Sequence, residues 1–288
     1  MFSSIFNGIK SIFDFIQNYF KTVVFLTILL IMFYPSGEIE SQANLATVEL
    51  NGAIMDSKEI LEKIQKVKED KNIKGVLFIV NSPGGAVAPS VEIAYAIKEL
   101  REIKPVVAYA SGLMASGGYY ASIWSDKIIA NPGGMIGSIG VIFQSFNVEE
   151  LITKLGIKPQ TEKIGKYKES GTPFREWEEY EKAEIQKVIT QTYEMFVTDV
   201  SNARGLDPKN HESFADAHIF TSMGAKEVGL IDEVGTISLA QKELMTLSGV
   251  SVPVWTKEDE FDKFMNKIME SSIQNVVKYF GTSLQSSL

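Results

Sequence analysis

The run Gly75-Val-Leu-Phe-Ile-Val80 carries no polar side chain and breaks at Asn81-Ser-Pro-Gly-Gly85. A strand without alternation has both faces covered, which places it inside a parallel sheet. Its neighbours fit that reading. Leu45–Leu50 reads as a strand, and Ser57–Asp70 as a helix with Ile60, Leu61, Ile64 and Val67 on one face. Ser90–Ile103 reads as a second helix and Val106–Ala110 as a third strand. Strand and helix in alternation give an α/β domain, a largely parallel sheet with helices packed over it. Ligands gather at the carboxyl ends of such strands. Gly84-Gly85 and Ser116 both follow strand ends, so two separate turns are expected to meet in one cleft.

At 288 residues the chain can bury one large core. A net charge of −8 without a basic stripe argues against nucleic acid as a partner. The absence of cysteine excludes disulfides, thiolate metal sites and a cysteine nucleophile, and is compatible with an oxidising compartment. Gly133-Gly-Met-Ile-Gly-Ser138 lacks the lysine that precedes the serine of a phosphate loop, which argues against nucleotide binding.

The N-terminus bears on location. Thr22–Tyr34 is free of charge, with Lys10 and Lys21 before it and Pro35, Ser36, Gly37, Glu38 and Glu40 after it. Alone it is short for a span of about 20 residues. Extended back to Phe15 it reaches that length, with Lys21 snorkelling. A cleavable signal ending at Ser41-Gln42-Ala43 is the rival, and the charges of Glu38 and Glu40 favour an uncleaved anchor. Basic residues before the span and acids after it predict the N-terminus inside and the following domain outside. The chain therefore reads as an amphipathic segment (1–21), a transmembrane anchor or signal sequence (22–36), the α/β domain (45–250) and an amphipathic tail (257–288). In the first segment Phe2, Ile5, Phe6, Ile9 and Ile12 recur at helical spacing, suited to the inner membrane interface. In the tail Phe261, Phe264, Met265, Ile268 and Met269 form a helical stripe that suits core packing, subunit docking, membrane contact or a neighbour's cleft.

The chemistry centres on Ser116 in Met114-Ala-Ser-Gly-Gly-Tyr-Tyr120. A hydroxyl attacks a carbonyl only when a base takes its proton and fixed donors stabilise the oxyanion. Small residues around one serine supply exposure and backbone N–H groups. His211 and His218 are the chain's two histidines, and both stay open as the base because a serine triad is recognised by geometry rather than chain order. A lysine serves instead if burial lowers its pKa from about 10.4 toward neutrality. Lys168, in the stretch Lys163–Phe174, is the candidate, although that stretch by itself reads as a solvated basic loop.

Four segments, Asn81–Gly85, Ala115–Tyr120, Gly137–Val141 and Lys166–Ser170, together resemble signal peptide peptidase A in its short, single-repeat form, over about Leu45 to Thr236. The resemblance implies a ClpP/crotonase-like fold behind an N-terminal transmembrane helix. It implies Ser116 as nucleophile, Lys168 as general base, Ser138 as the residue that orients the lysine, and the N–H groups of Gly85 and Gly117 as the oxyanion hole. No metal or cofactor is implied. The implied substrates are signal peptide remnants and other short apolar peptides, and the implied assembly is a membrane-bound homo-octamer whose Ser and Lys come from neighbouring subunits. A helix over Glu176–Ala203 bears Trp177, Tyr180, Val188, Tyr193, Phe196 and Val200, more aromatics than its own core contact needs, which suits a subunit contact. One departure is Ala217-His218, where the family often has Gly-Arg after Ala-Asp. Two other classes remain: a crotonase-type acyl-CoA enzyme, with similar oxyanion turns, and a non-catalytic partner of a stomatin-like membrane protein.

Overall fold

The computed structural model describes residues 15, 17, 19–22, 24–27 and 42–256, and the chain divides into two units, Met1–Gln42 and Ala43–Leu288. The described residues of the first unit are helical, Gln42 at its end excepted. Most of the expected anchor over 22–36 and the whole tail over 257–288 lie outside the described residues. Among the described residues no helix is long and apolar enough to cross a membrane.

The second unit is built on β1 (Leu45–Asn51), β2 (Gly75–Ser82), β3 (Val106–Ala115), β4 (Lys127–Ala130), β5 (Met135–Gly137), β6 (Ile219–Thr221) and β7 (Glu233–Val234). Five strands run parallel in the order β1-β2-β3-β4-β7. Successive side chains of β2 point to opposite faces, as a strand requires. Val76, Phe78 and Val80 enter the larger core beneath helices α1 (Lys58–Glu69) and α2 (Val87–Arg101). Leu77 enters the smaller core with Val107, Tyr109 and Ile129, closed by Ala240 and Leu244 of α7 (Ile237–Ser248). Both faces are thus covered, the physical reason for the unbroken apolar run.

β3 is twice the length expected from sequence because it serves two partners. Its first half pairs with β4, and Leu113–Ala115 pairs with β5, which in turn holds β6 antiparallel. Between the halves the register with β2 slips: Val80 faces Ala110, but Ser82 faces Met114. The extra residues on β3 form a bulge, a device that bends a strand and re-aims its far end. Asn81 holds it, its Oδ1 accepting the Leu113 N–H at 3.1 Å. The re-aimed end of β3 delivers the chain to Ser116.

The remaining helices are α3 (Gly117–Tyr120), α4 (Glu149–Lys154), α5 (Glu179–Arg204) and α6 (Ser222–Glu227). α5 buries Phe196, Val197 and Val200 near its C-terminus and, in its N-terminal half, only Glu181. Glu181 lies 15 residues before Phe196, about 22 Å along the axis at a rise of about 1.5 Å per residue. The first turns of α5 therefore stand off the core as an arm. The segment between β5 and α5, including Lys168, folds onto the arm and leaves Ile142, Phe146, Leu151, Leu155 and Ile164 exposed.

Candidate active site

Ser116 occupies the junction between β3 and α3 with φ 49° and ψ −122°. A residue with a Cβ rarely adopts such a conformation, and it persists only where surrounding structure holds it. Its N–H donates to the Gly137 carbonyl at 2.7 Å, and its own carbonyl accepts from the Tyr120 N–H at 2.9 Å. α3 is fixed in turn by its two tyrosines. The buried Tyr119 hydroxyl donates to the Leu230 carbonyl at 2.7 Å. The Tyr120 hydroxyl donates to the Asp199 carboxylate on α5, and its ring meets Phe196 edge-on at 4.8 Å. Burial first, and then in Tyr120 the Asp199 carboxylate, push both phenols above their ordinary pKa, so they stay neutral donors.

The Pro83-Gly84-Gly85 turn lies against this junction. A Cβ on Gly84, whose φ is 93°, would fall 2.6 Å from the Gly117 nitrogen and 2.7 Å from the Ser116 Cβ. A Cβ on Gly117 would fall 2.3 Å from the Ser90 Oγ and 3.3 Å from the Gly85 nitrogen. Glycine is thus required at both places for the backbones to approach. Gly85 is steadied from the other side by a bridge to Ile54, with the Ile54 N–H on the Gly84 carbonyl and the Ala86 N–H on the Ile54 carbonyl. Neither the Gly85 nor the Gly117 N–H has a carbonyl partner among the described residues. Two free amides beside one strained serine are what an oxyanion needs.

Ser138 follows β5 directly, also with positive φ, 51°, and its N–H donates to the His218 carbonyl at 2.7 Å. The pairing Ala115–Gly137 brings Ser116 and Ser138 to adjacent strand ends. Among the described residues the non-glycine positions with positive φ are Ser116, Ser138, Asp216 and Ala217, all at this one place. His218 is exposed beside the next strand, its ring against Phe220. His211 instead shares a hydrogen bond of 3.1 Å with the Tyr193 hydroxyl.

Lys168 is elsewhere in the chain. It is exposed in a turn, and no hydrogen bond joins it to Ser116 or Ser138 among the described residues. The turn is clamped to the start of α5. Trp177 donates to the Thr172 carbonyl at 2.8 Å and packs on Phe143, while Tyr167 and Tyr180 meet edge-on at 5.6 Å. Arg175 makes two hydrogen bonds to the buried Glu181 carboxylate, at 2.8 and 2.9 Å, and these hold that carboxyl at a pKa of about 2. The aromatics expected to serve a subunit contact are largely used within the chain, and of that set Val188 is the one left exposed.

Sequence reasoning did not find Ser82 and Ser90, buried hydroxyls that brace the glycine turn. Ser82 accepts from the Gly84 N–H at 3.1 Å, and Ser90 donates to the Ala86 carbonyl at 2.8 Å. A signal existed for Ser90, the polar residue on the buried face of α2.

Residues 98–251 match the family described as Peptidase family S49. A protein of Methanocaldococcus jannaschii, provisionally named a protease, is 42% identical over 198 residues, 69% of this chain and 64% of the relative. One of Enterococcus faecium, provisionally named signal peptide peptidase SppA, is 37% identical over 71% of this chain and 66% of the relative. The chloroplastic serine protease SPPA of Arabidopsis thaliana is 33% identical over 66% of this chain but 28% of its own length. This chain thus spans less than two thirds of each of these relatives. Among solved structures, a ClpP1 mutant from Listeria monocytogenes aligns with a TM-score of 0.46 and 18% identity, over 66% of this chain and 90% of that one. With a family match across more than half its length and 42% identity to a relative over 69% of it, this chain belongs to peptidase family S49.

Proposed function

We propose that this chain is a membrane-anchored serine endopeptidase with a ClpP/crotonase-like fold, acting on signal peptide remnants and other short apolar peptides. The observation that carries the reading is Ser116, held at φ 49° beside the unpartnered amides of Gly85 and Gly117. In the proposed reaction the Ser116 Oγ attacks the peptide carbonyl carbon while the neutral Lys168 amine takes the hydroxyl proton. The electron pair displaced onto oxygen is held by the Gly85 and Gly117 N–H groups. Collapse breaks the C–N bond, and the lysine returns the proton to the leaving amine. Water, deprotonated by the Lys168 amine, then adds to the acyl carbonyl, the ester C–O bond breaks to release the acid, and the lysine returns the proton to the Ser116 oxygen. Ser138 orients the lysine by a hydrogen bond.

In this reading Lys168 serves the Ser116 of a neighbouring subunit. Two observations support that assembly. Lys168 rides on an arm whose buried foot at Phe196 is about 22 Å from Glu181. The same arm exposes Ile142, Phe146 and Ile164, apolar surface suited to a second copy. The anchor over 22–36 and an extracytoplasmic catalytic domain belong to the same proposal, supported by the charge and hydropathy pattern of the N-terminus, and the octamer belongs to it through the family resemblance alone.

The test uses the full chain in detergent. Hydrolysis of a fluorogenic apolar peptide and labelling by a fluorophosphonate are compared for wild type, Ser116→Ala and Lys168→Ala. Loss of hydrolysis in both variants, with label on Ser116 in the wild type, is the expected result. Hydrolysis that survives Lys168→Ala rejects the lysine base, and His218, which adjoins Ser138 in the same chain, becomes the residue to replace.

A further inference from the structure

The turn that bears Lys168 holds three lysines and treats them differently. Lys163 is paired with Glu169. Lys166 lies over the Tyr180 ring at 4.5 Å and the Tyr167 ring at 5.5 Å. Lys168 alone of the three has neither a carboxylate nor a ring partner among the described residues.

Its chain neighbour is the carboxylate Glu169. Glu169 is already occupied. Lys163 and Arg175 both donate to its Oε2, Arg175 at 3.2 Å, and together, with a further hydrogen bond to Thr161, they hold its pKa below the ordinary carboxylate value. Arg175 is fixed by its two bonds to Glu181, which is itself locked at the N-terminus of α5, where it accepts the Glu178 N–H at 2.9 Å. The charged groups on Glu169 are therefore Lys163 and Arg175, Arg175 being held in turn by Glu181, while Lys166 is occupied by the rings of Tyr167 and Tyr180. Two cations thus converge on one carboxylate, and a buried second carboxylate orients one of them.

We infer that Arg175 and Lys163 are positioning residues that withhold the Glu169 carboxylate from Lys168, and that Glu181 acts by aiming Arg175. The inference rests on the Ser116–Lys168 reading. A lysine base must be neutral to accept the serine proton, and a carboxylate within about 4–6 Å favours the charged ammonium. With Glu169 parked on Arg175 and Lys163, Lys168 reaches a neighbour's serine without its own counter-ion.

The test measures kcat against pH for the full-length enzyme, using the fluorogenic peptide. The variants are Lys168→Ala, Arg175→Gln and Lys163→Gln, the last two each with and without Glu169→Gln. Arg175→Gln alone is expected to lower kcat at neutral pH about tenfold and to move the rising limb of the profile up by about one pH unit. Adding Glu169→Gln is expected to move the limb back and recover most of the loss, since the carboxylate that captured Lys168 is gone. Lys163→Gln should act in the same direction, and because it leaves the Arg175–Glu181 pair intact the arm stays folded. If Glu169→Gln rescues neither single variant, or if kcat falls with no movement of the limb, the network is structural and the inference is wrong. Full activity in Lys168→Ala overturns it differently, by removing the base on which it depends.

Discussion

The main-chain N–H of Ser116 donates to the carbonyl of Gly137 at 2.7 Å, so the end of β3 is tied to the residue just before Ser138. Both serines sit at positive φ, 49° and 51°, and each is held by pairing to the next strand, Ala115 to Gly137 and Ser138 to the His218 carbonyl. Local strain of this kind costs on the order of 1–3 kcal/mol per residue and is maintained by the packing around it.

Ser116→Gly should therefore be inactive yet more stable than Ser116→Ala, by about 1 kcal/mol, because glycine adopts the junction's backbone without the Cβ penalty. Urea unfolding of the two variants side by side measures the difference. Equal midpoints would mean that the conformation at Ser116 stores no strain.

Gly84→Ala tests the approach of the two turns. The new Cβ would stand 2.6 Å from the Gly117 nitrogen, with backbone rather than a mobile side chain in its way. One of the two turns must shift, and moving one oxyanion donor costs about 10²–10³ in kcat. The expected outcome is folded protein with hydrolysis reduced at least a hundredfold and slowed fluorophosphonate labelling. Near-normal labelling would show that the Gly117 amide is not part of the hole.

Ala217 marks the departure from the family's pattern, and the structure places it at φ 57°, directly after Asp216 at φ 52°. The turn is kept without the glycine that suits it, so the backbone carries the cost. Ala217→Gly should stabilise the domain by about 0.5–1 kcal/mol, the left-handed penalty offset in part by the greater freedom of glycine when unfolded. The midpoint of urea unfolding should rise with no change in its slope.

Much of the frame was legible because it rests on local pattern. The apolar run of β2 and the one-sided stripe of α1 appear where the periodicity put them, and α1 starts and stops within a residue of Ser57 and Asp70. α2 begins at Val87 rather than Ser90, because Pro89 fits a first helical turn, where its missing N–H costs nothing. β3 runs past Ala110 because the side chain of Asn81, a distant residue, holds its bulge. No window around Ser111-Gly112 contains that information. At the site, the Gly84-Gly85 turn lies against the Ser116 junction, the meeting expected of turns at strand ends, and Ser138 stands at the adjacent strand end, which no turn signal foretold. Their roles came from the resemblance rather than from spacing. Lys168 does not join them within the chain, and the pairing of Arg175 with Glu181 was hidden because it depends on where the first turn of α5 begins.

That pairing sets the acid limit of the arm. Glu181 has a pKa of about 2 in the folded chain, held down first by Arg175, against an ordinary value near 4.3. A depressed carboxyl stabilises the fold above its unfolded value, and the contribution disappears as pH falls through the folded one. Between about pH 4 and pH 2 the arm should therefore loosen as Glu181 takes up a proton and Arg175 loses its partner. Trp177 reports it, since its indole N–H is on the Thr172 carbonyl and its ring is 5.8 Å from Phe143. In a chain with Trp124 and Trp255 replaced by phenylalanine, Trp177 emission should shift to the red across that window. With Glu181→Gln added, the red-shifted emission should already be present at pH 7 and change little on acidification. A transition unchanged by Glu181→Gln would assign the acid response to another carboxylate.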